Sequence, residues 1–401
     1  MTMKAQRHAV RRQPETTRSS GVAAALAALA VTSSTAAAFL ALVSTVSRKV
    51  VVPPRKRPSN SRILGVDRPG RTITLRADAE TGVPGRYGLW VDGSEPYVKV
   101  GDILARSDRT VTRSVLSSNL GRVPGDVAAG MSGWFYRHPR ELGVEYEYVS
   151  VPTPLGPAPA WIVPSDDGVG GDWVIQIHGH GSQRAEGLRA VPVFAESGFT
   201  SLLVSYRNDN EGPRSADGRY GLGTTEWRDV EAAIDFAVDR GAERIVLMGW
   251  SMGGAIALQT VLRSDRKGLV VGLVLDSPVV DWHRVLAFQA TASHLPAVVR
   301  DAALLAIGND WGRRLTGLSE PVDLGSLDVV ASAPLLEHRV LILHSEDDGF
   351  VPSDGSKALA EARPDLVDLV SFHEARHARI WNFDEAGWNG AISTWLRSIR
   401  D

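Results

Sequence analysis

The pentad Gly249-Trp250-Ser251-Met252-Gly253 sets a single alcohol between two glycines, after a short apolar run from Ile245 to Met248. Good helix formers follow from Ala255 to Leu262. A strand that turns sharply into a helix presents a serine, and glycines on either side remove side chains that would collide. Ser251 gains two properties from such an elbow. Its Oγ stands clear of the backbone, and the Met252 amide at the helix N-terminus faces any negative charge that develops during acyl transfer. The bland alternative is a Gly-rich turn with a surface serine, so the decision lies with the partners of Ser251.

A serine hydroxyl barely ionises at neutral pH and needs a base within hydrogen-bond reach, itself held in one tautomer by a third group. Suitable groups follow in the chain. After the apolar run Val340 to Leu343 comes His344-Ser-Glu-Asp-Asp-Gly-Phe-Val-Pro352, with Glu346, Asp347 and Asp348 as three adjacent acids. After the run Leu366 to Phe372 comes Glu374-Ala-Arg-His-Ala-Arg-Ile-Trp-Asn382, which carries His377, while His373 falls beside the strand in a structural position. Upstream, His178-Gly-His-Gly181 follows Trp173 to Ile177, and its two glycines let a loop fold tightly over the site. The His180 amide then joins that of Met252 as a second oxyanion donor, an interaction typically worth about 3 to 4 kcal/mol. As metal ligands, His178 and His180 lack further histidines or acids at ligand spacing. Asp276 fits a turn cap at the end of Val270 to Leu275. Tyr206-Arg207-Asn208-Asp209 ends another strand, where it lines the pocket or else supplies a surface Arg207 and Asp209 pair.

These loops need a scaffold that gathers strand ends along one rim. Tyr146 to Val151 and Ala158 to Val163 bracket a turn at Leu155-Gly156 and read as a β-hairpin. Strand patterns then recur at Trp173 to Ile177, Ser201 to Val204, Ile245 to Met248, Val270 to Leu275, Val340 to Leu343 and Leu366 to Phe372. Helical patterns separate most of them, such as Glu226 to Arg240 with Val230, Ile234 and Ala237 on one face. That alternation predicts an α/β fold, a mainly parallel sheet with helices on both faces and reactive groups at the carboxyl ends of its strands. About sixty residues separate Pro278 from Val340, too many for one crossover helix, so a helical cap is expected at about 279–335. Trp282, Phe288 and Trp311 within it suggest an apolar acyl or aryl group.

The first third of the chain reads differently. Residues 1–18 form a basic tail, and from Ser19 to Ser47 no residue is charged. At about 1.5 Å per residue that run crosses a hydrocarbon core of about 30 Å, so a transmembrane anchor is expected at 19–47, with cleavage near Ala36-Ala37-Ala38 as the alternative. The basic tail would stay inside and the large domain would lie on the extracytoplasmic side. A proline-rich linker at 48–62 precedes a small β-rich domain at 63–144, where Arg71 to Arg76 and Tyr97 to Val100 alternate polar with apolar. The chain has 401 residues, a net charge of −2 and no cysteine. Near neutrality argues against a nucleic-acid partner, and the missing thiols exclude disulfides, a cysteine nucleophile and cysteine-bound zinc.

Residues from about 145 to 401 resemble the α/β-hydrolase superfamily on four motifs: His178 to Gly181, Gly249 to Gly253, the Asp348 loop and the His377 loop. The chain order Ser, Asp, His is the one that family uses. Its acid loop commonly reads His-Gly-x-x-Asp-x-x-Val-Pro. Laid over His344 to Pro352 this puts the acid at Asp348, with Ser345 where glycine is usual. The base loop of similar enzymes often carries histidine with Trp-Asn a few residues on, which selects His377. The resemblance implies a serine hydrolase cutting an ester or related acyl bond through Ser251, His377 and Asp348, without cofactor or metal. Trp250, Tyr206 and Trp282 are expected against the substrate. The layout of anchor, β-rich segment and hydrolase domain resembles membrane-anchored hydrolases of actinobacterial type. Two rivals remain: a prolyl-oligopeptidase-like peptidase, for which the segment before the hydrolase domain is too short to be a propeller, and a silent binding module, which has no need of all three residues.

Overall fold

In the computed structural model, residues 36–91, 97–120 and 125–400 are described. The chain opens with helix α1 over residues 36–51. Six strands follow, β1 (Ser61–Asp67), β2 (Thr72–Arg76), β3 (Tyr87–Val91), β4 (Tyr97–Arg106), β5 (Thr110–Ser118) and β6 (Val127–Ser132), closed into a barrel in the order β1-β2-β5-β4-β3-β6. The alternation in Thr72-Ile-Thr-Leu-Arg76 sorts its side chains, with Ile73 and Leu75 inside beside Ile63, Leu89, Val98 and Met131. Closure removes the open edges that a sheet this small would otherwise present.

The hairpin β7 (Glu147–Thr153) and β8 (Gly156–Val163) starts the large domain. Then come β9 (Asp172–Ile177), α2 (Val191–Glu196), β10 (Thr200–Val204), α3 (Trp227–Asp239), β11 (Arg244–Trp250), α4 (Met252–Arg263) and β12 (Val270–Asp276). The insertion after β12 holds α5 (Trp282–Ala292), α6 (Ala297–Gly308) and α7 (Arg313–Thr316). It is followed by β13 (Val340–Ser345), α8 (Asp354–Ala362), β14 (Val367–Phe372), α9 (Ile380–Phe383) and α10 (Glu385–Ser398). The sheet order is β14-β13-β12-β11-β9-β10-β8-β7, parallel from β14 to β10 and antiparallel through the hairpin. One face carries Ile245 and Leu247 against α3, α4 and the insertion, and the other carries Val246, Met248 and Trp250 against α2 and α10. Successive residues of β11 therefore serve two separate cores.

No helix among the described residues is long and apolar enough to cross a membrane. The expected anchor at 19–47 lies outside the described residues up to position 35, and its remainder, 36–47, is corrected by the structure. Val43 and Ser47 of α1 are buried, with Val43 packed on Val299, Ala303 and Ala306 of the cap. Apolar side chains already covered by protein are not offered to lipid. The expected linker is corrected too: Val51 sits in the main core, and its carbonyl accepts the Tyr220 N–H at 2.8 Å.

Candidate active site

Ser251 lies between β11 and α4 with φ +53° and ψ −116°, a left-handed conformation that costs roughly 1 to 3 kcal/mol for a residue with a side chain. The surrounding packing enforces it. A Cβ at Gly253 would come within 2.1 Å of the Ile177 carbonyl, and one at Gly249 within 2.6 Å of Gly253 O and the Gly254 backbone. The Ser251 N–H donates to Asp276 O at 3.0 Å, so the end of β12 also fixes the turn.

The ends of β13 and β14 bring two further side chains to the elbow. His377 Nε2 is 2.8 Å from Ser251 Oγ, and His377 Nδ1 donates to Asp348 Oδ2 at 2.7 Å. The second oxygen of Asp348 accepts the N–H groups of Phe350 and Val351 at 2.8 and 2.9 Å, which locks the carboxylate. Burial opposes the charged form of His377, but the Asp348 carboxylate outweighs it and raises the imidazole above its ordinary pKa of 6.5. Burial likewise opposes ionisation of Asp348, yet His377 and His344 together hold it well below the usual carboxylate range. His344 is buried beneath the acid, donating from Nε2 to Val351 O and accepting from Ser356 Oγ at Nδ1. The neighbouring acids do other work: Asp347 Oδ2 accepts the Glu374 N–H at 2.7 Å, and Glu346 pairs with Lys357.

The loop after β9 passes close to the elbow. A Cβ at Gly179 would lie 3.1 Å from Trp250 O and 3.2 Å from Ser251 Cβ, so only glycine fits without displacement. Gly179 N–H donates to Glu186 Oε2 at 2.9 Å. The next N–H, that of His180, has no acceptor among the described residues, and the Met252 N–H at the first position of α4 has no intrahelical partner. Below the loop, Tyr206 stacks on His178 at 4.2 Å and donates to the carbonyls of His178 and Gly179 at 3.0 and 3.2 Å. His178 Nε2 bonds Asp209 Oδ2 at 2.9 Å. Above it, His180 Nε2 meets Val50 O at 3.0 Å, and burial pushes the pKa of this imidazole down.

A family model described as the alpha/beta hydrolase family matches residues 174–387, more than half of the chain. The chain belongs to that family. The barrel of the hydrolase coincides with a second match, a domain of unknown function (DUF8805) at residues 62–135. Among solved structures, an esterase from Pyrococcus furiosus is similar at 17% identity and a TM-score of 0.50, over 65% of this chain and 94% of that one. An esterase from Pyrobaculum calidifontis has 20% identity and a TM-score of 0.47, over 64% of this chain and 84% of the other. The likeness to the Pyrococcus protein is one of fold. No curated protein matches the hydrolase in sequence.

Three residues expected against the substrate are placed elsewhere. Trp250 is fully buried on the far face of the sheet, stacked on Trp388 at 5.5 Å. Tyr206 is fully buried beneath the oxyanion loop, and Trp282 is packed in the core with its indole N–H on Leu222 O at 2.9 Å. A strand-end position specifies the rim but not the face, which is why Trp250 and Tyr206 were misdirected, and a place in the cap does not specify which side of its helix meets the core, which is why Trp282 was. Trp311 points outward and is 56% exposed. Arg207 and Asp209 do not pair with each other; Arg207 grips Asp229 and Asp209 grips His178. Asp276 is buried, accepting the Trp388 indole N–H at 2.8 Å and the Ser277 hydroxyl at 2.9 Å. Sequence reasoning missed Glu186, Arg189 and Phe350. Phe350 is 48% exposed, with its ring 5.1 Å from that of His377, and so offers an apolar surface beside the imidazole.

Proposed function

We propose that the protein is a serine hydrolase that cleaves a carboxylic ester, or a related acyl bond, through an acyl-enzyme. The observation carrying this reading is the pair of contacts made by one imidazole, 2.8 Å to Ser251 Oγ and 2.7 Å to Asp348 Oδ2. His377 takes the Ser251 proton as Oγ attacks the carbonyl carbon, and the Met252 and His180 N–H groups hold the oxyanion. His377 then protonates the leaving alcohol. A water deprotonated by the same imidazole attacks the acyl carbon, and the acid departs as Ser251 regains its proton. Phe350 offers an apolar wall to the acyl or alkyl group. Fluorophosphonate labelling mapped to Ser251, together with hydrolysis of a p-nitrophenyl ester chain-length series, tests the reading; an unlabelled Ser251 in folded protein would sink it.

Membrane attachment with the hydrolase domain on the extracytoplasmic side, as in the anchored type resembled by the sequence, belongs to the same proposal. With α1 docked on the cap from Phe39 onward, the uncharged run before the docked part is Ser19 to Ala38. At about 1.5 Å per residue this still reaches about 30 Å. Recovery of the full-length chain in the soluble fraction after carbonate extraction would end this part of the proposal.

A further inference from the structure

Among its described residues the barrel carries no catalytic constellation, yet its docking face converges on one short stretch, the loop that carries His377. Arg379, two residues beyond the base, forms an ion pair with Glu80 and donates to Met131 O at 2.9 Å. Asn382 Nδ2 donates to Arg86 O at 2.8 Å and to Gly133 O at 3.0 Å, while the Arg86 N–H donates back to Asn382 O at 3.0 Å. Arg86 also pairs with Glu385 and lies over the Trp381 ring. Close approach is built in: a Cβ at Gly85 would meet Asn382 O at 2.2 Å, and one at Gly133 would meet Ala378 O at 2.7 Å and Arg189 Nη1 at 2.8 Å.

The loop needs outside support. Glu374 and Ala378, on either side of His377, adopt φ of +65° and +50°, which residues with side chains hold only when their surroundings impose it. Ala378 O accepts Arg189 Nη1 at 2.8 Å, and the same Nη1 donates to Asn382 Oδ1 at 2.7 Å. A chain of contacts thus runs from the barrel through Asn382 and Arg189 to the residue next to the base. A second, more direct one runs through Arg379.

We propose that the barrel is the positioning element of the base loop, with Arg379 and Asn382 as the positioning residues through which it sets His377 at Ser251. The inference rests on the acyl-transfer reading above for its meaning, but not for its geometry. It gives the six-stranded module a role: it completes the site in cis from outside the parallel sheet.

The test uses the full chain and four variants, Arg379→Gln, Arg379→Glu, Glu80→Arg and the exchange of both charges. Arg379→Glu should lower kcat about tenfold or more, because a displacement of about 1 Å can cost about a hundredfold. KM should stay within about twofold, since nothing here touches substrate. Fluorophosphonate labelling of Ser251 should slow in parallel, the exchange should recover most of both losses, and Arg379→Gln should fall between. NMR titration of the His377 imidazole supplies a readout independent of turnover, and its midpoint should drop in the single variants and return in the exchange. Wild-type kcat and an unmoved His377 midpoint in Arg379→Gln and Arg379→Glu would overturn the proposal, as would an exchange that recovers neither. Should Arg379→Glu fail to fold, Arg379→Gln and Glu80→Arg decide by the same two readouts. A wild-type chain that takes no label at Ser251, but whose His377 midpoint still drops in the single variants and returns in the exchange, would sink the acyl-transfer reading and support the barrel's role.

Discussion

The loop at His178 to Gly181 is held by the Tyr206 hydroxyl, the Val50 carbonyl and the carboxylates of Asp209 and Glu186, whereas the His377 loop at Glu374 to Asn382 is held largely by cations. Under the first lie the Tyr206 hydroxyl and the His178 stack, and over it the Val50 carbonyl. Around the second stand Arg189, Arg379 and Arg376, the last donating to Asp347 O at 3.0 Å. The supports also differ in origin. Val50 comes from the end of α1, and the partners of Arg379 come from the barrel, so each loop is finished by a piece of chain that precedes the hydrolase domain. The sheet brings the loops to the rim. On the proposed acyl-transfer reading, what lies outside it sets them to within about half an ångström of the geometry that proton transfer needs.

Removing the centre both loops serve gives the largest effect. Ser251→Ala should reduce kcat about 10⁵-fold or more with thermal stability preserved, measured by ester hydrolysis beside calorimetry. Surviving turnover would show that neither loop serves Ser251. Next come two adjacent acids with different tasks. Asp348→Asn should cost about 10⁴-fold by favouring the wrong His377 tautomer. Asp347→Asn, which weakens only the bond to the Glu374 N–H, should cost about tenfold. Equal losses would erase the distinction between orienting the base and shaping its loop.

The charged side of the comparison also predicts a pH profile. His377 must be neutral to accept the serine proton, and its pKa is raised in the folded chain. Activity should therefore be lost as pH falls through a midpoint above 6.5, about tenfold for each unit below it. Asp348, held well below its usual range, contributes no limb above that midpoint. A kcat/KM profile flat from pH 8 down to 5 would contradict this electrostatic account. In the other loop, Tyr206→Phe removes the donor to two carbonyls. The two carbonyls share one hydroxyl proton, so the loss is that of a single bond, and at about 1 kcal/mol it should lower kcat about fivefold. That loss should be the same at low salt and at about 1 M salt, where screening shortens to about 3 Å.

The motifs picked out Ser251, Asp348 and His377, which the structure sets within hydrogen-bond reach of one another, and the strand patterns fell close to the strands observed. Ile245 to Met248 was legible as a strand, for example, and Arg244–Trp250 is the strand found. Such readings succeed because they depend on local chemistry: an apolar run, or a glycine that must admit a close backbone. Side-chain direction at a strand end or on a cap helix is not local, which is why Trp250, Tyr206 and Trp282 were misplaced. Nor is the docking of remote pieces. Nothing in the proline-rich stretch around Pro53 marks Val51 as a core residue, and closure of the barrel leaves no signature beyond alternation. Arg189 reads as an ordinary exposed cation until Ala378 and Asn382, some 190 residues further on, are folded over it.

Glu80 and Arg379 are separated by 299 positions. A ribosome adding about 5 to 20 residues per second completes the last barrel strand, at Ser132, tens of seconds before it reaches Arg379. For that interval the barrel's docking face waits in solvent, and its polar character, with Glu80, Arg86 and bare carbonyls, suits the delay. The nascent chain thus lacks the His377 loop and its barrel contacts throughout that interval, so premature termination before Arg379 leaves a barrel with nothing to grip.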